Sequence, residues 1–248
     1  MPKLVVVLAV ALLALTTAAV AAGQSDLRQS AVSSFTTQRP HSPTGVVTSI
    51  DYFNPQDRAA KPPAVRRIVT RLQPGTTIDP SVVAPCDEPR ALAGTCPSGS
   101  RVGGGTITIA TGFPGPLGIL TEDTTLFAAS NGLIFFTQDR ATGARTVTTA
   151  TVQGNTMTST VPPLPGTPPD GGALRQVRLR IDSISKGTGA SRRSLVTTPA
   201  TCPRSRHWIN QNTFTYADGV TQTVSSSSRC TRPARARVHR APRPRFTG

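Results

Sequence analysis

The 248-residue sequence predicts an all-β protein, an antiparallel β-sandwich or jelly roll of about ten strands in a single domain. Three observations carry that prediction. Thr, Val, Ser and Gly dominate the middle of the chain, and no segment there keeps a 3.6-residue apolar period. Short stretches instead alternate apolar and polar residues with a period of two. Between them stand Asn-Gly, Asp-Gly and Thr-Gly pairs, which supply the positive φ that tight hairpins need.

The chain opens with Met1, Pro2 and Lys3, a short positive start, and Leu4 to Val20 is apolar apart from Thr16 and Thr17. Ala19-Val20-Ala21 then places small residues where a signal peptidase reads. A positive n-region, an apolar h-region and an A-x-A site predict a signal peptide over residues 1–21, cleaved after Ala21, and hence a secreted or envelope location. The competing reading is an uncleaved anchor, because a run of about 19 apolar residues is barely long enough to span a bilayer. No later segment has the length and apolarity of a transmembrane helix.

Residues 22–44 read as an N-terminal extension with a first strand, and residues 45–230 as the β-sandwich domain. In Arg67–Leu72, Ile68 and Leu72 share one face while Arg67 and Arg71 point away. Pro80–Gly94 is the best place for a helical turn. Thr106–Ala110 puts Ile107 and Ile109 inward, and the preceding Gly103-Gly104-Gly105 reads as a bulge or a tight backbone approach. Four strands between 124 and 161 form a meander, with turns at Asn131-Gly132, Thr142-Gly143 and Gly154-Asn155. The run from Val161 to Asp170 holds five prolines, which donate no hydrogen bond, so it predicts a stiff connection rather than a central strand. Gln176–Ile184 alternates Val177, Leu179 and Ile181 against Arg178, Arg180 and Asp182. Asp218-Gly219 joins a last hairpin, Thr213–Ala217 with Val220–Val224.

Four cysteines in an exported chain read as a disulfide framework. Cys86, Cys96, Cys202 and Cys230 allow three pairings, and proximity in sequence favours Cys86–Cys96 and Cys202–Cys230. A metal site would need a C-x-x-C or a Cys/His cluster, and His207 is the only histidine near a cysteine, so neither metal nor cofactor is expected.

The formal net charge is +15. Much of it lies in the last 20 residues, in Arg229 and in Arg232, Arg235, Arg237, Arg240, Arg243 and Arg245. Without carboxylates or an apolar period, residues 231–248 read as a disordered Arg/Pro-rich tail. The six arginines from Arg232 onward are candidate contacts for a polyanion, such as an anionic cell-wall polymer, through counterion release. Phe246 is the one aromatic among them, so specific nucleic-acid readout is not expected. Arginine in place of lysine is also what a GC-rich genome produces, which leaves a plain solvated tail as the alternative.

Several segments together resemble a group of uncharacterised secreted β-sandwich proteins of high-GC Gram-positive bacteria. They are Asp51-Tyr52-Phe53-Asn54-Pro55, Lys61-Pro62-Pro63-Ala64-Val65, Pro74-Gly75-Thr76 through Cys86, and Cys96 through Gly103. Further on they are Val161 through Gly166, Thr198 through Pro203, Phe214 through Gly219, and Cys230. The resemblance covers most of residues 45–230 and leaves out the tail. It implies a secreted single-domain β protein with these two cysteine pairs, and it implies no activity.

Catalytic motifs are weak. Ser183-Ile184-Ser185-Lys186 fits S-x-x-K, but the serine ends a strand instead of starting a helix, and the companion elements are missing. A Ser-His-Asp triad would have to use His41, His207 or His239, none of them in a convincing setting. Of carboxylates that could pair for glycoside chemistry, Glu88 and Glu122 are the only glutamates, and Asp79, Asp170 and Asp218 sit in turns. Asp51 on a strand is the exception, and a solvent-facing strand position is its plain reading. The scarcity of converging titratable groups predicts a non-catalytic extracellular or envelope-associated protein of binding or structural role. The two alternatives are a secreted hydrolase with dispersed site residues and a polyanion binder acting through its tail.

Overall fold

The computed structural model describes residues 26–231. The expected signal peptide lies outside them. Among the described residues, fifteen strands follow one another. They begin with β1 (Gln29–Phe35), β2 (Val46–Tyr52), β3 (Val65–Arg71), β4 (Thr77–Ile78) and β5 (Arg101–Ala110). The middle holds β6 (Ile119–Ala129), β7 (Gly132–Asp139), β8 (Arg145–Gln153), β9 (Thr156–Thr160) and β10 (Ala173–Ile181). The last are β11 (Ser185–Lys186), β12 (Arg193–Ser194), β13 (Val196–Thr197), β14 (His207–Tyr216) and β15 (Thr221–Arg229). One α-helix, α1 (Glu88–Ala93), falls inside the expected helical turn. Asp87 caps its start and Gly94 ends it in the left-handed conformation.

Eleven strands form a single antiparallel sheet in the order β1-β2-β10-β5-β6-β7-β8-β9-β3-β14-β15. The sheet curls until its two edges meet, giving a nearly closed barrel-like sandwich. The alternation read in sequence sets the inside of this shell. Val177 and Ile181 on β10 are buried, while Arg178 and Arg180 point out. Side chains of successive residues face opposite sides of a strand, so one apolar set defines one wall. The β6–β9 meander is present with sequential antiparallel pairing.

Its first turn differs from the expected one. Ala129 pairs with Gly132, so Ser130 and Asn131 are the central turn residues and Gly132 already belongs to β7. The glycine serves another need there. A Cβ on Gly132 would collide with the carbonyl oxygen of Ala150 on β8. The triple glycine of β5 does answer to close approach, since Cβ atoms on Gly103 and Gly105 would strike the Arg180 and Arg178 carbonyls of β10.

The seam between β1 and β15 is closed by side chains instead of a backbone ladder. The Ser33 N–H donates to Ser226 Oγ at 2.9 Å and the Phe35 N–H to Ser228 Oγ at 3.1 Å. Arg28 N–H donates to Gln222 Oε1 at 3.1 Å. Asn210 Nδ2 donates to the Ser33 carbonyl at 2.8 Å, and the Ser33 hydroxyl bonds Asn212 Oδ1. An open edge exposes unpaired backbone groups that template aggregation. Here hydroxyl and amide side chains bond backbone groups of that edge at Arg28, Ser33 and Phe35.

The two ends of the shell are built differently. At one end the 182–206 segment and the start of the 72–100 segment fold over an apolar cluster of Leu72, Val82, Leu195, Val196 and Trp208. Cys202–Cys230 ties this end together. Cys86–Cys96 closes the loop carrying α1, which packs on the outer face of β7 beside Ile134. At the other end the Pro-rich segment after β9 crosses the mouth as a strap over a second cluster that includes Ile50, Val65, Val177, Phe214 and Tyr216. Among the described residues, no helix is long and apolar enough to cross a membrane.

Candidate functional site

A cavity of about 160 Å³ lies inside the shell between the two apolar clusters. Its wall is mostly aliphatic: Ile50 from β2, Ile109 from β5, Leu126 from β6, Met157 from β9 and Leu179 from β10 contribute. These residues arrive there because each sits on the inward phase of its strand. Pro162, Pro163, Leu164 and Pro165 of the strap close one side.

The strap is held by hydrogen bonds rather than by covalent bonds. Lys61 Nζ donates to the Thr167 carbonyl at 3.1 Å and to the Gly171 carbonyl at 2.8 Å. The Thr167 N–H bonds the Thr111 carbonyl, and the Gly172 N–H bonds that of Leu164. Proline has a fixed φ and no N–H, so the segment keeps an extended shape without needing a partner strand. That is how Pro162, Pro163 and Pro165 can line an apolar space.

One wall of the interior is polar. Glu122 and Thr124 on β6 face inward in phase with Leu126, and they pair across the sheet with Asp139 and Thr137 on β7. Glu122 is the one ionisable residue lining the cavity. Burial pushes its carboxyl above the ordinary value; a hydrogen bond with Thr137 opposes the rise, and the negative Asp139 adds to it. Asp139, only 4% exposed, is held below its ordinary value chiefly by the Thr142 N–H and hydroxyl and then by the Ala141 N–H. Those bonds all go to Oδ1, at 2.7 to 3.1 Å. Asp139 Oδ2 and Thr124 Oγ1 are buried and have no hydrogen-bond partner.

The structure scatters the residues weighed from sequence. Cys86–Cys96 and Cys202–Cys230 are both closed, with Cα atoms 5.4 and 5.7 Å apart. Arg232, Arg235, Arg237, Arg240, Arg243 and Arg245 lie outside the described residues. Asp51 faces out from β2, bonded by Arg178 Nη2 at 2.5 Å and Gln176 Nε2 at 2.9 Å. His207 is exposed at the start of β14, its Nδ1 2.9 Å from the Ser205 carbonyl oxygen. Ser185 and Lys186 form the short β11 against β12, with the Ser185 and Ser194 hydroxyls 2.8 Å apart. No group of three or more His, Cys, Asp or Glu side chains among the described residues could hold a metal.

The polar wall was missed in the sequence, although a signal existed. Leu120, Glu122, Thr124, Leu126 and Ala128 fall on one phase of a period-two run, so the glutamate shares the face of the leucines. A charge in phase with core residues is the departure that marks it. No family model matches the chain, and neither a curated protein nor a solved structure matches it.

Proposed function

We propose that this is an exported, non-catalytic binding protein whose barrel interior holds a small, largely apolar molecule. The observation that carries the proposal is the aliphatic cavity of about 160 Å³ under the proline strap. Interiors normally pack with few voids larger than a water molecule. A largely aliphatic space of this size has room for a molecule of about the size of benzene. Two closed disulfides and the N-terminal sequence pattern support an oxidising, extracytoplasmic setting.

The test is direct titration of the purified, oxidised protein with toluene, followed by calorimetry or by chemical-shift changes at Met157 and Leu126. Saturable binding at one site is expected. Ala150, buried and lining the cavity, offers the control. Ala150→Leu fills the space from the inside and should abolish binding while leaving the far-ultraviolet spectrum unchanged. No saturable uptake by the parent protein, or uptake undiminished in the folded variant, sinks the reading.

A further inference from the structure

The strands β9, β3, β14 and β15 are neighbours in the sheet, and their inward side chains are accounted for. Ile68 and Thr70 on β3 and Met157 and Ser159 on β9 line the cavity, while Asn212 and Phe214 on β14 are fully buried. The residues between them therefore face outward. The register sets these in rows across the strands. Arg67 stands between Thr160 and Thr215, Val69 between Thr158 and Thr213, and Arg71 between Thr156 and Gln211. Opposite the β14 residues, β15 adds Thr221, Thr223 and Ser225. The rows hold two arginines and many hydroxyls, with no acid and no aromatic ring.

The charge of this face is uncompensated. On β10 the outward arginines are paired, Arg178 with Asp51 and Arg180 with Asp182. None of the seven ion pairs among the described residues involves a side chain of the rows. The carboxylate nearest to them in sequence, Asp218 in the β14–β15 turn, is taken by Arg28 at 2.7 Å. Arg67 and Arg71 are exposed. Four residues apart on one strand, they stand roughly 13 Å from each other. A free guanidinium presents a planar fork that matches phosphate oxygens two at a time.

We propose that this outer face is a second binding surface, for a linear polyol phosphate polymer lying along β3. Arg67 and Arg71 each take a phosphate. The threonine hydroxyls on both sides exchange hydrogen bonds with the polyol, since a hydroxyl both donates and accepts. A nucleic acid fits less well, because the face offers no ring on which bases could stack. Val69 is the one apolar side chain of the rows, too little to enter a bilayer. The surface lies across the same strands from the cavity and does not depend on it. It places the anion contacts on the folded shell rather than in the arginines after Cys230.

Fluorescence anisotropy of labelled poly(glycerol phosphate), titrated with the oxidised protein at fixed ionic strength, tests the assignment. Polyglutamate and single-stranded DNA of matched charge are the comparisons. Arg67→Gln with Arg71→Gln should weaken poly(glycerol phosphate) binding about tenfold or more, as loss of charge-assisted hydrogen bonds does. Arg101→Gln with Arg192→Gln removes the same charge from exposed positions elsewhere and should stay within about twofold of the parent. Thr158→Val with Thr213→Val should weaken poly(glycerol phosphate) about threefold and leave polyglutamate unchanged. Urea midpoints should match the parent in every case, because the substituted side chains face outward. Equal losses from the two arginine pairs would mean that bulk charge alone attracts the polymer, and would overturn the proposal. So would an absence of binding by the parent, tighter binding of DNA, or a threonine pair without effect. None of these outcomes touches the cavity, whose own test is toluene.

Discussion

The end of the shell around Trp208 and the end under the proline strap solve the same closure problem with different forces. Around Trp208 the fold uses a covalent link, Cys202–Cys230, and dense packing. The Trp208 ring is fully buried, meets Phe35 edge-on at 5.4 Å, and its Nε1–H donates to the Thr201 carbonyl at 3.1 Å. Under the strap the fold uses one lysine, a few backbone hydrogen bonds and stiff prolines. Stability is not spread evenly through a protein, and segments that admit ligands come from its weaker parts. The contrast makes the disulfide-linked end the more heavily crosslinked and packed of the two, and leaves the strap beside the cavity on hydrogen bonds.

The strongest way to break that division is to empty the Trp208 site. Trp208→Ala should cost about 4 kcal/mol, as large-to-alanine changes at packed aromatics do. It should shift the urea midpoint far more than any substitution in the strap. A loss below about 1 kcal/mol would mean that this end does not dominate stability.

The disulfides come next and are unequal. In the chain-entropy account, removing a crosslink with a sequence separation of 28 costs about 3.5 kcal/mol, and one with a separation of 10 about 2.7 kcal/mol. Cys202→Ser with Cys230→Ser should thus destabilise more than Cys86→Ser with Cys96→Ser, measured by denaturant unfolding of each double variant. The gap should widen beyond the loop-length difference, because Cys230 belongs to the main apolar cluster while Cys86–Cys96 belongs to a small satellite on the outer face. Equal losses would show that loop entropy alone matters.

The same contrast explains what could be read before the structure. Local rules held where local physics decides. Val177, Leu179 and Ile181 announced a wall by alternation, and the prolines of 161–170 announced a segment outside the ladder. Gly94 stops α1, and Gly154 and Gly219 take positive φ at their turns. The closure of eleven strands into one shell was not legible, because strand neighbours such as β2–β10 and β3–β14 are set by contacts far apart in sequence. Ser225 to Ser228 carry no alternation at all, yet Ser226 and Ser228 cap the free edge of β1. Asn210 and Asn212 look like solvent-facing residues and are fully buried, since their partners lie on strands the sequence does not place beside them. Glu122 was hidden for the same reason: an acid is recognised as interior only once its strand's two faces are known.

At the strap end the effects shrink in stability and grow in kinetics. Lys61→Met keeps the apolar stem but removes the donor to the Thr167 and Gly171 carbonyls. It should cost about 1 kcal/mol or less, since the group is only partly buried. Hydrogen exchange at the Thr167 and Gly172 amides should nonetheless rise at least tenfold, and dissociation of a bound apolar probe should quicken with it. Unchanged exchange at those amides would mean that the prolines alone hold the strap.

The smallest effect compares the ends by their response to acid, and the signs should differ. Near Trp208, burial pushes Asp79 up, but the Ser81 hydroxyl and the Arg193 guanidinium, 2.6 Å away, outweigh it and hold it below 3.8. A folded value below the unfolded one means that the native state binds fewer protons, so this contribution is present above 3.8 and is lost as the pH falls through the folded value. Glu122 is the reverse. Its folded value lies above 4.5, so between the two values the native state binds more protons and stability drops as the pH rises. Glu122→Gln should therefore make the unliganded protein slightly more stable at pH 7, by less than about 1 kcal/mol for a half-buried group, with the difference vanishing below pH 4. Asp79→Asn should make it less stable at pH 7 and converge with the parent only at lower pH. Urea midpoints for both variants between pH 3 and 8 decide the matter. If Glu122→Gln proves less stable than the parent at neutral pH, an ionised Glu122 is already compensated inside the shell.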